Sequence, residues 1–326
     1  TTIYGQFESG VDIPIGPHCF IGREGLLKNW MNYPFVEAYE TNEDLLSAAE
    51  HIGMLSNILV PAITERLNHL NQRKYTEKFW RIIILPWLLE LIQKTWVTFL
   101  RLEKLKLIHG DRRVKIFGLK GYSKQKITNT LNFQELLFFN YRFNWWLDTK
   151  IAEIQLPDNW VIEWIESIEH PKHIKPAEIP RKKINYKLFS MLRWIKYSMG
   201  YSDIGGIRLA GLMLSAYLNL LPKKILNESR NQVATSNVNS YFPKRYLELL
   251  NYFILELFPE SFTDGFNKLE KTAQKLLYFN GRLRLGTLDF WNEQEKVIWA
   301  LAAEKGERIV LVQHGGEYGI TDYNIL

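Results

Sequence analysis

The sequence predicts an α/β protein rich in helix, and three observations carry that expectation. Long stretches place apolar residues at three-to-four spacing, as in Leu45, Leu46, Ala49, Ile52 and Leu55. Short β-branched runs interrupt them at Val11 to Ile15, Val114 to Leu119 and Arg308 to Gln313. The C-terminal end then follows the order strand, helix, strand, at the length of a parallel crossover.

In chain order, Val11, Ile13 and Ile15 alternate with Asp12 and Pro14, an edge-strand pattern leading into the loop Gly16-Pro17-His18-Cys19. A helix is expected from Asn42, capped by Thr41 or Asn42, with Glu43 and Asp44 in its first turn. A second starts near Thr76 and carries Phe79, Trp80, Ile83, Ile84 and Trp87, with a kink expected at Pro86. Helical pattern resumes from Asn132 through Ile154, from Asn159 to Glu169, from Leu188 to Leu221 and from Lys244 to Leu257. The stretch His170 to Lys187, with Pro171, Pro176 and Pro180 and the basic run Arg181-Lys182-Lys183, reads as a hinge. Leu283 to Leu285 is a strand, Trp291 to Glu304 a helix ended by Gly306, and Arg308 to Gln313 a buried strand.

With 326 residues, 46% hydrophobic and 23% charged, the chain has ample length for a core and the composition of a folded protein. Its single cysteine, Cys19, excludes an internal disulfide and fits a reducing compartment. The net charge of +6 suits an anionic partner but is too mild for a nucleic-acid binder, and no nucleic-acid partner is expected. The apolar runs Ile82 to Ile92 and Leu209 to Leu221 are shorter than a membrane span, which implies a soluble or peripheral protein.

The densest motif is Gln313-His314-Gly315-Gly316-Glu317-Tyr318-Gly319, directly after the last strand. Paired glycines let backbone amides approach an anion, and His314 can donate to a phosphate or take a proton from a hydroxyl. An ordinary glycine turn is the alternative. Asp289 has two readings, a general base near His314 or the N-cap of the following helix. His18 can orient a hydroxyl and Arg23 can bind phosphate, or both belong to a turn in which Cys19 is a small hydrophobe. Glu163, Glu166 and Glu169, spaced by three on an expected helix, read as a solvated face. Trp145, Trp146, Trp194 and Trp291 can stack on sugars or fill the core. No P-loop, Gly-x-Gly-x-x-Gly or Asp-x-Asp motif is present in the sequence, so neither a metal nor a cofactor is called for.

The segment Leu285 to Gly319, with Asp289-Phe290-Trp291, Ala300-Leu301-Ala302-Ala303 and the His-Gly-Gly loop, resembles a bacterial family of transferases in O-antigen and surface-carbohydrate biosynthesis. Pro14-Ile15-Gly16-Pro17-His18-Cys19 is similar to that family's early strand and Gly-Pro-Trp-Cys-like loop, with His18 where the family has Trp. Leu67-Asn68-His69, Phe79-Trp80-Arg81-Ile82 and Leu85-Pro86-Trp87-Leu88 are similar to further blocks. The resemblance covers the two ends of the chain.

What it implies is a GT-B-like enzyme of two Rossmann-like halves. Residues 1–326 would form the N-terminal half, with a helical insertion at about 120–270, and a second nucleotide-binding domain is expected beyond 326. The implied activity is glycosyl transfer from a nucleotide-sugar donor to a glycan or lipid-linked glycan acceptor. His314 and Asp289 would be catalytic, and His18, Arg23, Gly315, Gly316, Tyr318 and Gly319 would bind substrate. The enzyme is expected in the cytoplasm at the inner face of the membrane, with a peripheral contact through a segment such as Lys187 to Lys196. The 326-residue chain alone is expected to be inactive. Two rivals are a polyol-phosphate transferase of the teichoic-acid type and a non-catalytic scaffold of a polysaccharide-assembly complex.

Overall fold

The computed structural model describes residues 36–120, 126–166, 241–276, 283–287 and 292–312. Helices α1 (Asn42–Asn71) and α2 (Glu77–His109) form an antiparallel hairpin and are followed by β1 (Lys115–Lys120), α3 (Thr130–Phe139), α4 (Tyr141–Gln155) and β2 (Val161–Glu166). After these come α5 (Lys244–Glu256), a 3-10 turn (Glu260–Phe262), α6 (Phe266–Leu276), β3 (Leu283–Thr287), α7 (Glu293–Glu304) and β4 (Arg308–Val312). The strands form two parallel pairs, β1 with β2 and β3 with β4. A helix-rich α/β class is what these elements amount to. The expected strand Val11 to Ile15, the hinge and the helix Leu188 to Leu221 lie outside the described residues.

Local signals explain the helix boundaries. Thr41 caps α1 in a capping box, its hydroxyl accepting from Asp44 N at 3.1 Å while the Asp44 carboxylate accepts from Thr41 N at 3.1 Å. At the other end Gln72 takes the left-handed conformation, φ 53°, and Arg73 N donates to Asn68 O at 2.8 Å. The reversal is then fastened by Asn68, which receives Tyr75 N at 3.0 Å and Trp80 Nε1 at 2.8 Å on its side-chain oxygen. Thr76 caps α2.

Helix α2 is the spine of the core. Trp80, Ile84, Trp87, Leu88, Leu91 and Ile92 are all fully buried, and they fall on more than one face because α1, α3, α4, α5 and α7 pack around it. The helix continues through Pro86. Contrary to the run-length expectation, α1 and α2 are each long and apolar enough to cross a membrane by length and composition; about half of the relevant window of α2 is buried inside the protein. Uninterrupted apolar runs missed this, because a few scattered polar residues break a run without making the helix polar. Trp145 and Trp146 belong to the core, as the bland reading of the aromatics has it.

One expected helix is a strand. Asn159 to Glu169 contains β2, whose six residues pair in register with β1 from Lys115↔Val161 to Lys120↔Glu166. Glu163 and Glu166 therefore do not share a helical face; they reach across the ladder to Lys115 (2.6 Å) and Lys120 (3.8 Å). Val161 N donates to Val114 O, so even-numbered residues of β1 bond toward β2 and odd-numbered ones face the opposite edge. There α4 takes the place of a strand: Trp145 Nε1 donates to Phe117 O at 2.8 Å and Thr149 Oγ1 accepts from Leu119 N at 3.2 Å. Gly118 permits the close approach, since a Cβ there would lie 2.6 Å from Ile162 Cγ2 and 3.0 Å from Thr149 Cγ2.

Candidate functional site

The residues singled out in the sequence, His18, Arg23, Asp289, His314, Gly315, Gly316, Tyr318 and Gly319, lie outside the described residues, and so do Trp194 and Trp291. What is described is the frame that carries two of them. Strands β3 and β4 run parallel, joined by α7, in a register that ends on Thr287↔Val312. Asp289 stands two residues past Thr287 in the chain and His314 two past Val312. The helix cap is made by Asn292, whose side chain accepts from Gln294 N at 3.0 Å and Glu295 N at 3.4 Å. Asp289 is thus not the N-cap, which corrects that reading of it. Gly306, at φ 76°, ends α7 as expected and turns the chain into β4.

Helix α7 is held by polar contacts in an apolar setting. Lys296 is fully buried; its Nζ donates to Ile83 O at 3.1 Å and to Thr130 Oγ1 at 2.7 Å, and lies 3.2 Å from Glu293 Oε2. Pro86 has no N–H for the carbonyl four residues earlier, that of Ile82, and Lys296 reaches the carbonyl next to it, that of Ile83. The other Glu293 oxygen accepts from Thr130 N at 2.6 Å, a carboxylate at the positive end of α3. At the far end of α7, Glu304 accepts from Thr76 N at 3.1 Å and Thr76 Oγ1 at 2.5 Å, tying it to the start of α2.

Burial pushes the Lys296 ammonium below its ordinary value, although Glu293 and Glu90 pull the other way. Glu90, on α2, is pushed up by burial to about 7 from 4.5, against the opposing pull of Lys296 and a hydrogen bond with Gln134. One of its carboxyl oxygens is buried without a partner, a costly state for an anion. The sign of the pH effect follows. The folded chain retains a proton on Glu90 that the unfolded chain releases near 4.5, so this contribution to stability is present below that pH and is lost as pH rises to about 7. Glu90→Gln is expected to melt at nearly the same temperature at pH 5 and pH 8 where the wild type loses stability; parallel pH profiles for the two proteins would refute the assignment.

A second polar cluster lies where α1 turns into α2. Glu270 on α6 is almost wholly buried and receives Arg73 Nη2 at 2.6 Å, Arg73 Nε at 3.0 Å and the Tyr75 hydroxyl. Burial raises the Glu270 carboxyl, and the Arg73 and Tyr75 hydrogen bonds outweigh it, holding it below its ordinary value. The open groove beside this cluster, about 480 Å³, is lined by Thr64, Glu65, Asn68, Lys74 and Glu77 among others. Its guanidinium is already committed to Glu270, so the groove offers no spare bidentate anion clamp. Among the described residues no group of three or more His, Cys, Asp or Glu side chains converges as a metal site would require.

Sequence reasoning missed Lys296 and Glu90. The signal was there for Lys296, which shares the apolar stripe of Ala300 and Ala303.

The fold defines a helix-rich α/β protein, a class in which ligands meet the carboxyl ends of parallel strands. The chain matches the family model of the LIC12162 family transferases over residues 1–326 and belongs to that family, which makes transfer its general function. No curated protein and no solved structure matches the chain.

Proposed function

We propose that this transferase moves a sugar from a nucleotide-activated donor to a glycan or lipid-linked glycan of the bacterial surface, working at the cytoplasmic face of the membrane. The observation that carries the reading is the Thr287↔Val312 pair. Because the ladder ends there in parallel, the segments that begin with Leu288 and Gln313 leave the same carboxyl edge, where α/β proteins bind ligands. The helix cap is supplied by Asn292, so capping does not account for Asp289 and the reading gives it a role in the reaction.

In this reading the acceptor hydroxyl oxygen attacks the anomeric carbon while the bond from that carbon to the donor phosphate oxygen breaks. The phosphate leaves with the bonding pair, and the hydroxyl proton passes to His314 or Asp289. Amides of Gly315 and Gly316, with Arg23, neutralise the departing phosphate; His18, Tyr318 and Gly319 line the acceptor and donor. In the GT-B-like arrangement the chain supplies one Rossmann-like half of the cleft.

The test is nucleotide release by the full-length enzyme from a panel of nucleotide sugars in the presence of lipid-linked glycan. Acceptor-dependent release supports glycosyl transfer. Consumption of a cytidine-diphosphate polyol instead, with every nucleotide sugar untouched, would move the assignment to polyol-phosphate transfer.

Gly316→Ala probes the loop more finely. A β-carbon at an ordinary φ costs about 1 kcal/mol or less, and more at positive φ. The expected result is retained thermal stability with weakened binding of a phosphate-bearing donor. Loss of stability with normal donor affinity would make Gly316 a turn requirement only.

A further inference from the structure

We propose that the end of α2 and the turn after it form a membrane-docking tip that rests on an anionic lipid surface. Two large apolar side chains stand there in solvent, Leu107 at 86% exposure and Ile108 at 58%. No other large hydrophobic side chain among the described residues is as exposed as Leu107. They are set in the sequence Lys104-Leu105-Lys106-Leu107-Ile108-His109-Gly110-Asp111-Arg112-Arg113-Val114-Lys115, with five Lys or Arg against one acidic residue. Lys104, Lys106 and Lys115 make ion pairs with Glu40, Glu103 and Glu163. Arg112 and Arg113 are exposed and have no ion-pair partner among the described residues. An apolar wedge with unneutralised cations beside it is complementary to lipid whose headgroups carry negative charge, because the side chains enter the acyl boundary while the cations stay with the phosphates.

The tip is built to hold its shape. Leu102 and Leu105 anchor the last turns of α2 in the core. Arg112 N donates to His109 O at 3.0 Å, and the Asn159 amide donates to Gly110 O at 2.8 Å and Arg112 O at 2.9 Å. These carbonyls, which a helix end otherwise leaves to water, are already satisfied when the tip meets lipid. Gly110 is required by space, since a Cβ there would lie 2.3 Å from Lys106 O. The tip precedes β1, and Asn159 precedes β2, so it stands at the amino ends of that parallel pair. None of its residues belongs to the β3–β4 pair on which the reaction assigned above is argued, and the proposal is independent of that reaction.

The experiment is co-sedimentation of the protein with vesicles of phosphatidylcholine alone, or containing about one third phosphatidylglycerol, with L107S/I108S and R112E/R113E as variants. Each cation near an anionic surface strengthens partitioning by about fivefold. R112E/R113E is thus expected to weaken binding to anionic vesicles by at least about twentyfold, and L107S/I108S by about tenfold. Raised salt should weaken the wild type, and thermal melting of both variants should match it, since none of the four side chains is buried. Equal binding of the wild type to neutral and anionic vesicles, or variants that sediment like the wild type, would overturn the proposal. So would a variant that changes the oligomeric state while vesicle binding is unchanged, a result that assigns the tip to a second copy of the chain.

Discussion

In the full-length enzyme, His314→Ala is expected to lower turnover by about two to four orders of magnitude, the range contributed by a positioned general acid or base. That range corresponds to about 2.7–5.5 kcal/mol in the barrier, too much for the loss of one neutral hydrogen bond. The comparison that identifies the role is His314→Gln, which keeps hydrogen-bonding capacity but cannot exchange a proton near neutral pH. If His314 takes the acceptor proton, the Gln variant is as slow as the Ala variant. If it only orients a phosphate, Gln restores most of the rate. Wild-type turnover by His314→Ala, with wild-type melting, would remove His314 from the reaction altogether. Asp289→Asn is the companion measurement: a base shared between the two groups predicts that the double variant is hardly slower than the slower single one.

The parts of the fold that were legible in the sequence are those whose signals are local. Thr41 and Asp44 announce α1 through a reciprocal cap, Thr76 announces α2, and Gly306 stops α7 in the one conformation that glycine enters freely. The strand, helix, strand order of residues 283–312 was legible because each piece has its own period and the connection has a crossover's length. β2 was misread because Trp160, Val161, Trp164 and Ile165 recur at helical spacing, and the choice between periods is settled by a partner far away in sequence, β1. The role of Asp289 was ambiguous for a related reason. Both Asp289 and Asn292 are good caps, and only the backbone of the first turn decides between them in favour of Asn292. For the candidate site itself, the sequence supplies the residues, and the described structure supplies the β3–β4 edge after which Asp289 and His314 follow in the chain.

Lys296→Met is expected to destabilise the fold by about 3–5 kcal/mol, the cost of stripping the partner from a buried charge. Methionine fills a comparable volume, so the loss is electrostatic and not a cavity. Glu293, almost wholly buried, would keep its hydrogen bond from Thr130 N but lose its cation, and Ile83 O beside Pro86 would lose a donor. Glu293→Gln in the same chain removes the stranded charge while leaving an oxygen for Thr130 N. The double variant should therefore recover at least about 1–2 kcal/mol relative to Lys296→Met alone, a coupling of opposite sign to simple addition. Urea unfolding of the two single variants and the double closes the cycle. Strict additivity would mean that Lys296 and Glu293 act separately, and a double variant less stable than Lys296→Met would mean that the Glu293 charge is held by the α3 amino end instead. The outcome reaches the site because α7 is the crossover between β3 and β4. If Lys296 is what holds α7 on α2 through Ile83 O, Lys296→Met should also weaken donor binding at temperatures well below its melting point, and the double variant should restore it in step with stability.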